Sequence, residues 1–505
     1  MEYVYYSVII TIFQGRLFMQ KIKWSVVLGV GSAIIFSALL LIRLDVFQKN
    51  HEPVIQVQVA NSQQPQDVWM NIFQNDRKIG FIHRTLEKKD DKFHFNENVR
   101  MEINMMGVTQ ALHIITESDL NPDMTLSSFD FKLNSSLFSF QARGHVAGHQ
   151  LILLTGLPDK QEKIEIPLQE IPHLGGSIYE AAFQNNLDKE TTRTFSLFDP
   201  STMSIRPIRV TRHADEIIPV MGKRVLTKKY CADLMGAQNC AWLDKDSQVL
   251  KETGIMGLSM EKTTKEKALG GMDQTASLDV TELASIPSNV QIDDKEKLKG
   301  LSVKLHGLID ELSLKGGRQI YQQDILTITK EDIPFSAISH KEFPANVVLY
   351  LKPSFLIQSQ DHQIRNQLRE IIQPTDSAEQ KARKIIAWVN RHIEKRPTLS
   401  VPDALEVLKN KTGDCNEHAV LSVALLRAAG IPAQSEAGLV YLRGRFYYHA
   451  WCVFYLDRWI TADAVFNQVP ADVTHIRLIR GETDRQLNLM GVIGKLKLEV
   501  LEQKR

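Results

Sequence analysis

Regular alternation of apolar and polar side chains from Lys92 to Met105 is the strongest constraint on how this chain folds. A period of two over a stretch of this length is typical of a half-buried antiparallel strand and does not fit a helix. The apolar face of the alternation consists of Phe93, Phe95, Val99, Met101, Ile103 and Met105. The segment therefore predicts a sheet with one face turned toward a core.

Turn-forming residues divide the surrounding region at intervals of about ten to sixteen residues, a spacing typical of a meander of strands. The turns fall at Gln74–Asp76, Lys89–Asp91, Met106–Gly107, Asn121–Asp123 and Asn134–Ser136. The pattern continues less clearly to about residue 280, so we predict one or two antiparallel β domains over residues 67–280. Side chains typical of a catalytic site do not stand out there, which favours a structural platform over a ligand-binding surface.

An uncharged apolar segment runs from Trp24 to Ile42, which is long enough to cross a bilayer as a helix of about 20 residues. The small residues of a signal-peptide cleavage site do not follow it, which favours an uncleaved anchor. Slightly more basic residues precede the segment than follow it, so the N-terminus is expected in the cytoplasm and the body outside. Met19, which opens a basic stretch before the segment, is the expected translation start.

This segment predicts a single-pass membrane protein. Residues 1–50 form the cytoplasmic stub and transmembrane anchor, with the span at 24–42. Residues 51–66 are polar and rich in Gln, without helical or strand period, and are interpreted as a linker.

Acidic and basic residues almost balance, with 60 Lys and Arg against 59 Asp and Glu and a formal net charge of +1. A general nucleic-acid binder needs a basic surplus, so the composition argues against a nucleic-acid partner. Cys231 and Cys240 lie close together in the β region, where they are either a disulfide pair or two unrelated buried thiols. Two thiols are too few for a tetrahedral zinc site and the sequence has no H-E-x-x-H motif, so neither a metal nor a cofactor is predicted.

Residues 281–360 mix extended and irregular stretches and are interpreted as a connecting region. Helical period begins near His362, and Pro374 and Pro397 end the first two predicted helices. A short third helix is predicted after Ser400. These helices open a predicted domain at residues 361–480, which an extension at 481–505 follows.

Cys415 stands where a further helix begins. Gly413 and Asp414 break the preceding helix, and apolar periodicity continues from Cys415 to about Ala429. A helix N-terminus stabilises a thiolate, and its N–H groups also stabilise the oxyanion of an acyl intermediate. A lone cysteine in an apolar helix is more often an inert core thiol, so Cys415 becomes a candidate nucleophile only together with other residues.

A predicted hairpin supplies those residues. His449 lies on its first strand and Asp463 at the end of its second strand. A cysteine nucleophile needs an imidazole as base, and the imidazole needs a carboxylate that holds its tautomer. The two side chains share a face only if the turn has an odd length, so we predict a loop centred on Asp457 that places Asp463 opposite Trp451 and diagonal to His449.

The motifs GDC at a helix start, HAW on a strand and TAD at the end of the next strand resemble the transglutaminase-like superfamily. The resemblance covers about residues 375–475 and implies a papain-like α+β core. It implies that Cys415 is the nucleophile, His449 the general base and acid, and Asp463 the residue that orients the histidine. The order of anchor, β-rich middle and C-terminal core is similar to membrane-anchored bacterial envelope members of the superfamily, with the body in the periplasm.

Two neighbouring side chains have alternative interpretations. Trp451 either forms a wall of the acyl-binding pocket, and so binds substrate, or belongs to the core. His418 is either a rival base or, as we favour, a packing residue.

The predicted fold class is therefore α+β, with an N-terminal transmembrane helix, an antiparallel β-rich middle and a C-terminal transglutaminase-like core. The predicted function is thiol-dependent acyl chemistry on a peptide or protein substrate. Hydrolysis is favoured over transfer to an amine, because water needs no acceptor site. The alternative is a non-catalytic envelope module for binding or assembly. The bacterial inner membrane is the other expected partner, and an envelope complex partner remains unidentified.

Overall fold

The structure is a computed structural model of the chain. It describes residues 65–505 except 137–138, 156–161, 235–236, 255, 272–278, 309–311, 334–342, 399–402, 483–485, 487–488 and 490–491. The predicted stub, membrane span and Met19 start, and nearly all of the predicted linker, lie outside the described residues.

A 16-stranded sheet occupies the first half of the described chain. Its strands are β1 (Gln66–Gln74), β2 (Arg77–Lys89), β3 (Lys92–Met105), β4 (Val108–Leu120), β5 (Leu126–Ser135), β6 (Ser139–Ala147), β7 (Gln150–Thr155), β8 (Glu162–Pro167), β9 (His173–Leu174), β10 (Thr191–Asp199), β11 (Ser204–Arg212), β12 (Glu216–Val220), β13 (Lys223–Leu234), β14 (Ala237–Leu243), β15 (Val249–Thr253) and β16 (Leu258–Thr263).

The spatial order of this sheet follows the chain in two runs, β8 to β1 and β16 to β9, with β12 paired to β13 beside the main path. Strands β1 and β16 pair antiparallel and join the two runs. The pairing is antiparallel throughout except between β9 and β10. Short turns between consecutive strands account for this meander, because antiparallel neighbours need only a tight connection.

The alternating segment forms β3, and its apolar face turns inward as the sequence predicts. Phe93 and Phe95 are 4% and 1% exposed, and they belong to an apolar core with Leu120 and Leu126. Helix α1 (Ile178–Gln184) packs against the same sheet through Ile178 and other small apolar residues. Burial of each large side chain contributes about 1.5–3 kcal/mol, which explains why the alternation is a reliable signal.

A buried charged group, the Arg84 cluster, lies within this sheet. It consists of Arg84 and three glutamates, Glu97, Glu180 and Glu252. The Arg84 guanidinium donates to Glu97 at 2.9 Å and to Glu252 at 3.0 Å, and Glu180 lies 3.7 Å away. One cation thus faces three carboxyl groups away from water. Burial raises the pKa of Glu180 to about 7, and the attraction of Arg84 offsets only part of that effect.

The Glu180 carboxyl predicts a pH-dependent stability. Between its unfolded pKa of 4.5 and its folded pKa of about 7, the folded protein binds a proton that the unfolded chain has released. The stabilisation is therefore complete below the unfolded pKa and is lost as the pH rises through the folded pKa. The free energy of unfolding should decrease with rising pH in wild type. Across this pH range we expect that decrease to be about 3 kcal/mol larger in wild type than in Glu180→Gln.

Urea unfolding at a series of pH values measures this difference. Glu165→Gln is the matched control, because Glu165 is half-exposed and the variant removes a carboxyl at the surface of the same sheet. Parallel pH dependences in Glu180→Gln and wild type would contradict the prediction.

The second half of the chain contains the remaining elements. Its strands are β17 (Ile286–Pro287), β18 (Gly300–His306), β19 (Gln319–Gln322), β20 (Ile325–Thr329), β21 (Glu394–Lys395), β22 (Thr412–Gly413), β23 (Ala433–Leu442), β24 (Arg445–Leu456), β25 (Arg458–Ala462), β26 (Ile476–Arg480) and β27 (Lys497–Lys504). Its helices are α2 (Lys265–Leu269), α3 (Val280–Ala284), α4 (Ala345–Val348), α5 (His362–Ile371), α6 (Ala378–His392), α7 (Ala404–Asn410) and α8 (Cys415–Ala428).

Two sheets and the helices α5 to α8 form the core of this half. Strands β17, β24, β23 and β26 form one sheet in that order, with β25 paired to β24. The helices pack on this sheet through a shared apolar cluster that includes Ile386, Val423 and Phe454. A second sheet, ordered β19, β20, β18 and β27, packs against it through Val303 and Leu439 among others. Strands from the predicted connecting region, 281–360, and from the predicted extension, 481–505, both belong to this second sheet. The predicted domain boundaries at residues 281, 361 and 481 stay predictions.

Local capping signals account for the helix starts. Helix α6 begins after Ser377, whose side chain accepts from the Gln380 N–H while the Gln380 side chain accepts from the Ser377 N–H. Reciprocal pairs of this kind satisfy two N–H groups that the helix leaves without partners. The helix therefore starts at Ala378.

The predicted fold class is wrong in its balance, because the structure is mostly β, with 49% strand and 20% helix. Strand β18 of the connecting region pairs with β27 of the C-terminal extension, far away in the sequence, and local periodicity cannot detect such pairing. Among the described residues, no helix is both long and apolar enough to cross a membrane. The longest of these helices, α6, has 15 residues, or about 22 Å at 1.5 Å per residue, against about 30 Å of hydrocarbon.

Within the described residues, that finding corrects the predicted transmembrane anchor and the predicted single-pass location. The predicted span at 24–42 lies outside the described residues.

Candidate active site

Cys415 is the first residue of α8, and Asp414 caps that helix. The Asp414 side chain accepts from the Asn416 N–H at 2.8 Å, and the Glu417 carboxylate accepts from the Asp414 N–H at 2.8 Å. This capping box explains why the chain turns into a helix at Cys415. The thiol is half-buried, and the N–H of Ala450 donates toward its sulfur. Because Ala450 follows His449 in β24, the nucleophile candidate lies against the strand that carries the candidate base.

The pKa of the Cys415 thiol is raised well above its ordinary value, and the expectation of a stabilised thiolate is wrong for this conformation. Burial is the main cause, and the negative charges of Asp414, Glu417 and Asp463 add to it. The N–H of Ala450 acts in the opposite direction and does not compensate.

The carboxyl groups of Asp414 and Glu417 form a buried pair beside the thiol. Burial and the nearby Glu417 raise the pKa of Asp414 well above its ordinary value. Glu417 is 2% exposed and accepts from the hydroxyl of Thr398 at 2.9 Å as well as from the Asp414 N–H. The start of α8 is thus an acidic environment, which opposes the favourable effect of the helix dipole on a thiolate.

This environment predicts that Glu417→Gln makes Cys415 more reactive. Gln at this position still fits a capping box, so the helix start is retained while one negative charge is lost. We expect alkylation of Cys415 by iodoacetamide to accelerate by up to about tenfold at a given pH, the change that one pKa unit produces. Peptide mass spectrometry measures the rate, and Glu406→Gln on the neighbouring helix α7 controls for a distant charge. A rate equal to that of wild type would contradict the charge effect.

The hairpin of β24 and β25 brings His449 and Asp463 together. Leu456 pairs with Arg458 and Cys452 with Ala462, so the turn is centred on Asp457, as the same-face argument requires. The His449 Nε2 atom lies 2.7 Å from the Asp463 carboxylate. The His449 side chain is 8% exposed and that of Asp463 is 1% exposed. Since Nε2 donates to the carboxylate, Nδ1 is the nitrogen that remains to accept a proton.

Asp463 is held by several donors. Its Oδ2 atom accepts from His449 and also from His475 Nε2 at 2.9 Å, and its Oδ1 atom accepts from the Phe466 N–H at 3.0 Å. Burial alone raises the pKa of Asp463, but the two histidines outweigh that effect and lower it well below the ordinary range. The carboxylate therefore stays ionised throughout the physiological pH range.

His475 is a site residue that sequence reasoning missed. It lies beyond the irregular segment after Asp463, where neither periodicity nor spacing indicates a partner. Burial lowers the pKa of His475, but its hydrogen bonds to Asp463 and Asp472 outweigh that effect and raise it. A histidine three residues after an aspartate in the stretch Asp472–His475 is the only local signal, and it is a weak one.

Trp451 and His418 are both buried, each 1% exposed. The Trp451 indole N–H donates to Glu436 at 2.9 Å, and its ring contacts His475 edge-on with centroids 5.2 Å apart. His418 Nδ1 lies 2.7 Å from the Asp414 carbonyl, within the capping turn. Both positions suit residues that support the site from inside, and the substrate-binding role of Trp451 stays a prediction.

His449, Asp463 and His475 each offer one atom that could ligate a metal, and these atoms all lie within 4.8 Å of one another. Both imidazoles approach the same carboxylate oxygen at 2.7 Å and 2.9 Å, which are hydrogen-bond distances. The arrangement therefore favours proton sharing over metal binding.

The remaining cysteines lie apart from this chemistry. Cys231 and Cys240 face each other on β13 and β14 with Cα atoms 4.0 Å apart, and they form a disulfide. Cys452 is buried on β24, and its thiol donates to the Ala462 carbonyl at 3.4 Å. Burial raises the pKa of the Cys452 thiol.

Residues 365–464 match the family model of the transglutaminase-like superfamily, which confirms the predicted resemblance. This segment, from α5 to just past Asp463, contains all three candidate catalytic residues and is a transglutaminase-like core. No curated protein matches the chain.

Solved structures with similar parts include a candidate cysteine protease from Cytophaga hutchinsonii (14% identity, 39% of this chain and 83% of that chain, TM-score 0.27). Another is a candidate protease from Parabacteroides distasonis (12% identity, 69% of each chain, TM-score 0.20). A third is a beta-barrel-like protein with a domain of unknown function from Brucella abortus (11% identity, 41% of this chain and 96% of that chain, TM-score 0.31).

Proposed function

We propose that this protein is a cysteine hydrolase that cleaves peptide or carboxamide bonds through Cys415, His449 and Asp463. The observation that carries the proposal is the 2.7 Å pair of His449 and Asp463 on a strand that packs against the helix start bearing Cys415. Three groups of this kind in this order suffice for acyl chemistry by a thiol.

The reaction starts from the protonated thiol that the raised pKa of Cys415 favours. His449 Nδ1 takes the thiol proton as the Cys415 sulfur attacks the carbonyl carbon, and Asp463 stabilises the imidazolium that forms. The N–H of Cys415 at the start of α8 stabilises the oxyanion. His449 then protonates the leaving amine, and a thioester remains on Cys415. Water, deprotonated by His449, attacks the thioester and releases the acid, which restores thiol and imidazole.

The raised pKa of Cys415 supports one competing candidate, a non-catalytic binding module. An inert thiol is what such a module would contain. A transferase remains the closer alternative, because an amine in place of water would use the same three side chains. The two enzymes differ only in the second half of the reaction.

Trapping of the acyl-enzyme tests the proposal. The protein is incubated with a pool of fluorogenic peptides, with and without a fluorescent primary amine, and intact mass is measured after rapid acid quenching. We expect peptide cleavage and an acyl adduct on Cys415, both absent in Cys415→Ala, with Cys452→Ala as the matched thiol control that retains them. Cleavage that persists in Cys415→Ala, or a wild-type protein with neither cleavage nor adduct, would contradict the proposal. Amine incorporation in preference to hydrolysis would identify the transferase.

A further inference from the structure

The carboxylate that orients His449 is shared with a second buried histidine. His475 is 0% exposed and donates from Nε2 to the same Asp463 oxygen that His449 contacts. Its other nitrogen, Nδ1, faces Asp472 at 3.3 Å. A histidine whose two nitrogens both face carboxylates donates from both of them only as an imidazolium. In this geometry His475 is the cation between two carboxylates, and it shares one of them, Asp463, with His449.

The far end of this line is firmly fixed. Asp472 accepts from the Thr474 N–H at 2.9 Å and from Gln468 at 3.0 Å, and the Lys295 ammonium lies 3.6 Å away. Because Asp472 has these donors, it is held in place independently of His475. It can therefore anchor the imidazolium that reaches Asp463.

The other neighbours of His475 define its electrostatic surroundings. The rings of Trp451, Phe466 and His449 lie with centroids 5.2, 6.0 and 5.9 Å from its own. The Arg318 guanidinium donates to its backbone carbonyl at 2.9 Å. The charged groups that face the imidazole are thus Asp463 and Asp472, with Lys295 behind Asp472 and Arg318 on the backbone side.

We propose that His475 is a positioning residue which, as an imidazolium held between Asp463 and Asp472, fixes the Asp463 carboxylate and moderates its pull on the proton of His449. This inference rests on the proposed function, since it concerns the same reaction. His475 does not touch substrate. It acts through Asp463, whose negative charge it shares with the catalytic base.

The sign of the effect follows from that sharing. An imidazolium beside Asp463 weakens the attraction between the carboxylate and a proton on His449, because both imidazoles contact the same oxygen. Removal of the positive charge leaves the full carboxylate facing His449. The acid limb of the pH profile of kcat/KM should then move upward by about one pH unit, as expected for a unit charge at this distance in a partly buried site.

His475→Gln tests the proposal, because the Gln side chain keeps an N–H donor within reach of Asp463 but carries no charge. We expect the acid limb to move upward by about one pH unit and kcat to fall more than KM rises. Asp472→Asn weakens the hold on the imidazolium and should move the limb in the same direction by a smaller amount. His173→Gln, at a buried histidine of the large sheet whose Nδ1 lies 2.9 Å from the Met124 carbonyl, should leave the profile unchanged.

Nitrogen NMR of histidine-labelled protein gives a readout that does not need catalysis. We expect one imidazole of wild type to keep both N–H protons to a higher pH than a free imidazole does, and we expect that signal to vanish in His475→Gln and to titrate lower in Asp472→Asn. A folded His475→Gln with the wild-type acid limb would overturn the positioning role. A neutral His475 in the spectra would overturn it as well, even if no substrate is ever cleaved. A doubly protonated His475 in a protein without hydrolytic activity would instead place the failure in the proposed function. If His475→Gln does not fold, the pH profile of kcat/KM and the nitrogen NMR titration of Asp472→Asn test the positioning role instead.

Discussion

Asp463→Asn should lower kcat/KM for peptide hydrolysis by about 10⁴-fold, the loss typical of a triad whose aspartate becomes an amide. The carboxylate has donors on both oxygens, with two imidazoles on Oδ2 and the Phe466 N–H on Oδ1. An amide nitrogen in either place would face a donor, so His449 would turn or adopt the wrong tautomer. The nucleophile and its helix start would remain intact.

Steady-state kinetics and circular dichroism measure this result together. Asp403→Asn is the matched control, because Asp403 caps α7 in the same core and Asn caps a helix equally well. We expect the control to retain wild-type kinetics. Activity of Asp463→Asn within about tenfold of wild type would mean that another group orients His449.

Arg84→Ala should produce a large loss of stability. It removes the only cation of the Arg84 cluster and leaves Glu97, Glu180 and Glu252 to face one another away from water. Removing one partner of a buried ion pair costs about 3–5 kcal/mol. The large sheet should therefore unfold at a clearly lower urea concentration than in wild type.

Arg209→Ala gives the comparison at the surface of the same sheet. The Arg209 side chain is 67% exposed and pairs with Asp233 at 2.8 Å, and exposed pairs of this kind contribute about 0–1 kcal/mol. Urea unfolding followed by far-UV circular dichroism measures both variants. A loss in Arg84→Ala no greater than in Arg209→Ala would show that the three glutamates accept protons and relax without cost.

Local sequence patterns are sufficient for those parts of the molecule that neighbouring residues determine. The alternation in β3 predicts its buried face, because every second side chain points to the core regardless of the rest of the fold. Gly413 and Asp414 predict the start of α8, since a capping aspartate acts within one turn. The odd turn at Asp457 follows from the requirement that Asp463 share a face with His449.

Features that depend on distant residues could not be predicted in this way. The contact between Asp463 and His475 follows from the irregular path between them, and no repeat or spacing indicates it. The mostly β character arises in part from pairings such as that of β18 with β27, which are far apart in the sequence. The raised pKa of Cys415 depends on burial and on three carboxyl groups brought together only by folding.

The pairing of β18 with β27 also sets the order in which the chain acquires its structure during synthesis. Asn289, just before β18, donates to the Val500 carbonyl across 211 positions. At about 5–20 residues per second, the ribosome needs roughly 10–40 s to complete that stretch. During this time the nascent second sheet lacks its last strand, and the apolar face that it shares with the strands around His449 remains uncovered. The second sheet is thus complete only after residues 497–504 have been synthesised.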